Sequence, residues 1–217
     1  MATTNKSAAH AYDNTAEQWR ARWSNPGDFF HRRTMQIANM IAAHVSSCRT
    51  LDVGCGSGML SAMLSARGFD TYGTDISPKV LAGLPPDRFQ PTDGETLPFD
   101  GDFRLITAIG VFPYVPDYAA YLEKLCTRLE PGGYIAASCT VRLSVYVAQY
   151  VSAQLRSGQF GQDARNMLRT GIQSGGYVDL KTARQCYSPR IFDRLFGPLA
   201  ASVRKFTVRA KWRGVRQ

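Results

Sequence analysis

The sequence predicts an α/β protein built on a doubly wound, mostly parallel sheet with helices on both faces. Three observations predict it. Short apolar runs alternate with segments of helical period between residues 49 and 139, the β-α-β-α-β order that needs crossover helices. A glycine-rich turn at residues 54–58 follows the first of those runs and opens a helix. The chain has 217 residues, 44% of them hydrophobic and 20% charged. That is ordinary globular material, long enough to bury a core without disulfides or a structural metal.

Residues 1–10 are small and polar and read as a frayed tail. Residues 11–24 read as a helix with Tyr12, Ala16 and Trp19 on one face. Asn25-Pro26-Gly27 is a break, and Asp28 can cap the next helix, 29–45, where Phe30, Ile37, Ile41 and Val45 recur at helical spacing. Strands are predicted at 49–53, 71–74, 88–90, 103–109 and 134–139. Between them, 59–66 reads as a helix closed by Gly68. Ser77-Pro78 reads as the N-cap and first residue of a short helix, and 117–129 as a helix stopped by Pro131-Gly132-Gly133. Residues 141–176 break the alternation with two helices, 141–156 and 163–173, parted by Ser157-Gly158. A further helix starts at Ser188-Pro189, and 203–211 alternates apolar and basic residues as a sixth strand would. A single domain over 1–217 is expected.

The charge is +9, and its excess sits at the end: ten of the 26 basic residues lie in 181–217, against Asp193 alone. A basic end can meet nucleic acid, an anionic membrane or an acidic substrate. The preferred reading is a solvated strand edge kept from aggregating by Arg and Lys. Five cysteines, at 48, 55, 126, 139 and 186, include no C-x-x-C pair, and the histidines at 10, 31 and 44 form no ligand cluster. No metal centre is expected. No window of 18 apolar residues predicts a membrane span, and residues 1–10 lack the apolar stretch of a secretory leader, so a cytoplasmic protein is expected.

The chemistry-bearing signal is Leu51-Asp52-Val53-Gly54-Cys55-Gly56-Ser57-Gly58. Its glycines let the backbone turn sharply beside a ligand, and the helix that follows offers free N–H groups. The spacing is G-x-G-x-G, not the dinucleotide G-x-G-x-x-G, and Met59 stands where the third dinucleotide glycine belongs. An acidic residue, Asp52, precedes the turn, which suits a ligand with an ammonium group better than a pyrophosphate.

These residues resemble the first motif of the class I S-adenosylmethionine (SAM)-dependent methyltransferases. The resemblance covers roughly residues 11–140 and the helix start at Tyr187-Ser188-Pro189, and implies a Rossmann-like fold with a SAM-binding core over 49–140; residues 11–45 are expected as lid helices, 141–176, which match no named family, as a helical insertion, and 188–211 as a closing helix and strand. It implies SAM as cofactor and S-adenosylhomocysteine (SAH) as product. Asp75, 23 residues after Asp52, matches the family's ribose-binding acid. Asp93-Gly94 and the following Leu97-Pro98-Phe99 match its adenine-binding element, with Gly94 in place of the usual Ala. Gly54, Cys55, Gly56, Gly58, Ile76 and Ile109 complete the implied cofactor contacts. The loop from Ile109 to Asp117 is similar to a V-L-H-H-V-P-D element, but Pro113 and Tyr114 stand where that element has histidine. Leu129-Glu130-Pro131-Gly132-Gly133 matches the structural turn before the family's fifth strand. Trp212 to Gln217 is short for the family's seventh strand.

The N-terminal part resembles the ubiquinone-pathway O-methyltransferases, in Tyr12…Ala16…Trp19 and His31-Arg32. There an arginine pairs with the SAM carboxylate, and Arg32 and Arg33 are both candidates. Methyl transfer mostly requires nucleophile, methyl carbon and sulfur held in line away from water. A hydroxyl acceptor also needs proton removal. Tyr114, His10, Tyr12 and His31 are the candidate bases. Tyr146, Tyr150 and Gln154 share a helical face in the insertion that can line an acceptor pocket. The expected activity is methylation of an O or N atom of a small molecule. A second reading is an RNA or protein methyltransferase using the basic end, although no nucleic-acid-binding module is visible. A third is a non-catalytic binding protein. Oligomeric state is open.

Overall fold

The structure, a computed structural model, describes residues 2–92, 96–115, 117–138, 151–152, 154–158 and 161. The elements are α1 (Ala2–Ser24), α2 (Phe29–His44), β1 (Arg49–Val53), α3 (Met59–Ser65), β2 (Asp70–Asp75), β3 (Phe89–Pro91), β4 (Phe103–Ile109), a 3₁₀ turn (Phe112–Tyr114), α4 (Tyr118–Cys126) and β5 (Leu129–Ser138). The strands lie in the order β3-β2-β1-β4-β5. β1 runs parallel to β2 and to β4, and β2 parallel to β3, with Asp52 opposite Gly73 on one side and Thr107 on the other. The strand order therefore reverses between β1 and β4, and the glycine turn leaves β1 at this topological switch, where ligands of doubly wound sheets bind. The predicted fold class is the one observed.

Among the described residues the chain divides into two compact units. One holds Tyr12–Thr107 and Arg128–Ala136; the other holds 2–11, 108–127, 137–138 and the described part of 151–161. In the first, Leu51, Leu64, Phe103, Leu105 and Ile106 are fully buried, and α2 packs on α3 through its buried Thr34, Ile37, Ala38 and Ile41 face. In the second, Phe112, Leu122 and Leu125 form the core, with the Phe112 and Tyr121 rings 6.2 Å apart, edge to face. Burial pushes the Tyr121 phenol up to about 12.

Four local expectations change. Residues 2–10 are not a frayed tail but the start of α1: the stretch has no Gly or Pro and several alanines, and so propagates a helix. After Ser77-Pro78 there is no helix, only consecutive turns through Gly83. Gly83 stands at φ +89°, and Pro85-Pro86 follows, so no room is left for a second helical turn. α4 is shorter than expected, and Thr127 closes it. β5 begins at Leu129, five residues early, and runs through Pro131-Gly132-Gly133. There the absence of a side chain at Gly133 lets the Glu130 and Arg104 carbonyls come close: a Cβ would lie 2.9 and 3.0 Å from them. Asp28 caps α2 as expected, accepting from the Phe30 N–H at 2.7 Å, and Asp117 caps α4 through the Ala120 N–H at 3.0 Å.

Of the predicted insertion, residues 151–152 and 154–156 are helical and Ser157-Gly158 turns, with Gly158 at φ +70°. The rest of it, including Tyr146, Tyr150 and the 163–173 helix, lies outside the described residues. So do Asp93, Gly94, Cys139, the helix at Ser188-Pro189, the sixth strand and the basic 181–217 segment. Among the described residues no helix is long and apolar enough to cross a membrane, and no three His, Cys, Asp or Glu gather to hold a metal ion.

Candidate functional site

The turn after β1 is built from three left-handed glycines, with φ of +69° at Gly54, +54° at Gly56 and +73° at Gly58. An L side chain at each would cost about 1–2 kcal/mol, which is why this strand-to-helix corner is written in glycine. The turn is stapled to the end of β2. Gly54 and Cys55 N–H both donate to the Thr74 carbonyl, at 2.7 and 3.1 Å, and Gly56 N–H donates to Asp75 Oδ2 at 2.9 Å. The other oxygen, Asp75 Oδ1, accepts from Ser77 N–H at 2.9 Å. Asp75 is thus a buried carboxylate cradled by main-chain donors of two loops. Burial raises its pKa, against the lowering by the Ser77, Gly56 and Ile76 amides. A carboxylate has about four lone-pair sites, so beside its main-chain donors it keeps acceptor capacity for a ligand hydroxyl.

Asp52 differs. Its Oδ1 accepts from Thr107 Oγ1 at 2.6 Å and its Oδ2 from Ser61 Oγ at 2.8 Å, so it ties β1 to β4 and α3 within the core. Burial pushes its pKa up to about 6 despite both hydroxyls. Asp52, expected to suit a ligand ammonium, is thus met in this structure by core hydroxyls. Its residue is 2% exposed, and both oxygens are engaged by core side chains.

Helix α1 touches both loops of the cradle. Asp13 Oδ1 accepts from Ser77 Oγ at 2.5 Å and from Lys79 N–H at 3.2 Å, and Arg20 Nη2 donates to the Lys79 carbonyl at 2.9 Å. The Trp23 indole lies on Gly56: a Cβ there would run into the ring, with Cζ3 at 2.5 Å. Trp23 is backed by Trp19, centroids 5.5 Å apart, and Trp19 by Phe30 and Tyr12. Asp13, Trp23 and the role of Gly73 were not legible from the motifs. Gly73 is needed because a Cβ would meet the Phe89 ring at 2.6 Å and Cys55 Sγ at 2.8 Å. The i, i+4 spacing of Trp19 and Trp23 was the available signal for the second aromatic.

The remaining candidates fall in three places. Arg32 and His31 brace the corner between α1 and α2: Arg32 Nη1 donates to the Gly27 carbonyl, and His31 Nδ1 to the Trp23 carbonyl at 2.6 Å. A carbonyl only accepts, so Nδ1 carries the proton and Nε2 holds the lone pair. Tyr12 is half-buried against Trp19. Cys55 is buried, and burial pushes its thiol well above the usual range. Ile76 is half-buried beside Asp75. His10, exposed on α1, belongs to the other unit, as do Ile109 at the end of β4 and Tyr114 in the 3₁₀ turn.

The Leu97-Pro98-Phe99 element is held from outside. Arg128 donates to the carbonyls of Leu97, Phe99 and Gly101, and Arg49 to those of Asp100 and Asp102. The Phe99 ring packs edge-on against Tyr72, 5.2 Å away. No sequence signal marked Arg128 for this clamp.

A family model described as a methyltransferase domain matches residues 15–173. The chain is 29% identical to the ubiquinone biosynthesis O-methyltransferase of Methylobacterium sp. (strain 4-46), over 64% of this chain and 63% of that protein. It is 27% identical to the protein of the same name from Chromobacterium violaceum, over 68% and 71%. The chain thus spans a little under two thirds of the length of the first of these relatives. Among solved structures, magnesium protoporphyrin IX methyltransferase from Synechocystis, with bound SAH, superposes with a TM-score of 0.59 at 15% identity, over 88% of this chain and 86% of that one. A SAM-dependent methyltransferase from Thermotoga maritima gives 0.53 at 18% identity, over 68% and 69%. At these identities the structures speak for the fold alone, and it is the Rossmann-like α/β fold of class I methyltransferases.

Proposed function

Because this chain belongs to the methyltransferase-domain family, we propose that it is a SAM-dependent methyltransferase acting on an oxygen or nitrogen of a small molecule and releasing SAH. The observation that carries the reading is the cradle: three left-handed glycines bound through main-chain N–H groups to the end of β2 and to the Asp75 carboxylate. The fit is chemical. Asp75 keeps lone pairs for the ribose diol, and Gly54, Gly56 and Gly58 let a ligand approach the backbone closely. Asp93, Gly94, Ile76, Ile109 and Arg32 are further proposed cofactor contacts on the strength of the family's motifs.

When bound, SAM supplies an electrophilic methyl carbon on a sulfonium sulfur. The chain's own work is to orient and to exclude water. Holding the acceptor in line can contribute roughly 7–11 kcal/mol in favourable cases. An amine acceptor needs only its neutral form, whereas a hydroxyl needs a base. His31 fits the second task in one respect: its ring is oriented by the Nδ1–H that donates to the Trp23 carbonyl. Tyr12, His10 and Tyr114 stay as further candidates. The small-molecule assignment draws on the ubiquinone-pathway names of the relatives. The whole of 1–217 is read as one cytoplasmic domain.

The test is incubation of the protein with methyl-labelled SAM and a small-molecule extract, with label traced into products below about 1 kDa. Label in a small molecule, dependent on Asp75, supports the reading. Label confined to RNA or protein, or no turnover despite tight SAM binding, overturns it.

A further inference from the structure

Asp75 accepts from one main-chain N–H of each loop at 2.9 Å, Gly56 N–H and Ser77 N–H. Each of the residues that supply them is itself contacted by α1, Gly56 by the Trp23 ring and Ser77 by the Asp13 carboxylate. We propose that Trp23 and Asp13 form a two-point latch of positioning residues, through which α1 sets the Asp75 cradle and hence the affinity for the cofactor. The proposal rests on the reading that this cradle holds SAM.

The two contacts are chemically distinct, which separates their roles. Asp13 accepts from the Ser77 hydroxyl and the Lys79 N–H with one oxygen, so it holds the loop after β2 from its outer side. Ser77 Oγ in turn accepts from Val80 N–H at 3.3 Å, and Arg20 takes the Lys79 carbonyl at 2.9 Å. The loop that carries one of Asp75's donors is thus bound to α1 by a short polar network. Trp23 acts on the other loop by shape alone. Its ring fills the space that any side chain at position 56 would need, and Trp19 behind it and His31 on its carbonyl fix its place. Position 56 is therefore glycine for two reasons, a φ of +54° and the close approach of an aromatic ring from another element. The second reason makes a prediction the first does not. An alanine at 56 should displace Trp23, and that part of its cost should vanish when the ring is already gone.

SAM affinity is measured by calorimetry on the full chain, with circular dichroism confirming that each variant is folded. Trp23→Ala and Asp13→Ala should each weaken binding about tenfold or more. Trp23→Phe and Asp13→Asn keep a ring and an accepting oxygen, and should restore affinity to within about threefold of the unmodified protein. Gly56→Ala should weaken binding by a smaller factor in the Trp23→Ala background than alone. Tryptophan emission of a Trp19→Phe, Trp212→Phe protein, which keeps Trp23 alone, should change saturably with SAM. Unmodified protein that fails to bind SAM overturns the functional reading and this proposal with it. Unmodified protein that binds, with variants of unchanged affinity, with no rescue by the conservative pair, or with purely multiplicative effects of positions 23 and 56, overturns the latch alone. If Trp23→Ala does not fold, the comparison of Trp23→Phe with Trp23→Leu decides on the same terms.

Discussion

Asp52 is the penultimate residue of β1 and Asp75 the last of β2, on parallel neighbours, and both are buried, at 2% and 9% exposure. What separates them is the kind of donor each meets. Asp52 accepts from the side-chain hydroxyls of Ser61 and Thr107, which come from a helix and a strand inside the core. Asp75 accepts from the main-chain N–H groups of Gly56 and Ser77, which belong to loops at the strands' carboxyl ends. One carboxylate therefore pins layers together, and the other shapes the loop pair proposed to meet the cofactor. A buried acid beside a glycine turn is not a ligand acceptor by position alone; its donors decide.

Substitutions sharpen the contrast. Asp75→Ala removes the proposed acceptor of two ribose hydroxyls, each bond worth about 1.5–3 kcal/mol. SAM affinity by calorimetry should fall about 100-fold or more, while Asp52→Asn, which keeps a carbonyl for the hydroxyls, should bind nearly as the unmodified protein does. Asp52→Leu acts on stability instead. It strands the Ser61 and Thr107 hydroxyls in the core, at about 1–3 kcal/mol for each polar group left unsatisfied, and urea unfolding should show a loss of about 2–4 kcal/mol.

The pH dependence is next in size. Burial raises the Asp52 carboxyl to about 6 in the folded protein from 3.8, so the folded state binds that proton more tightly than the unfolded chain does. Its contribution to stability is complete below about pH 4 and is lost as pH rises through about 6, roughly 3 kcal/mol at most. Asp75 adds to the same trend, because burial raises its pKa too. The stability difference between unmodified protein and Asp52→Asn should therefore shift in favour of Asn as pH goes from 4 to 7, as followed by urea midpoints. A flat difference contradicts the burial account. The smallest effect expected is Gly58→Ala. There φ is +73° and a Cβ meets Leu84 at 3.2 Å, so about 1–2 kcal/mol of stability should go, read as a lowered melting temperature.

The sequence carried the sheet well because strand and helix signals there are local. Phe103–Ile109 is a mostly apolar run, interrupted by Arg104 and Thr107, and Asp28 and Asp117 stand where caps must. It carried β5 poorly: Pro131-Gly132-Gly133 reads locally as a turn, yet neighbouring backbone holds it in the strand. The same limit applies at the site. The glycines and Asp75 form a contiguous grammar of strand, turn and acid. The bond of Asp52 to Thr107 is not legible, because Thr107 is 55 positions away and nothing in the local pattern announces its hydroxyl. Asp13 and Ser77, 64 positions apart, were invisible for the same reason.

The most direct test of the central claim is residue-resolved: the ¹H–¹⁵N resonances of Gly56 and Ser77 followed by NMR during titration with SAM. The cradle predicts that both amides shift saturably with one shared affinity, because both donate to the carboxylate that receives the ribose. Saturable binding that moves other amides and leaves Gly56 and Ser77 in place would contradict it.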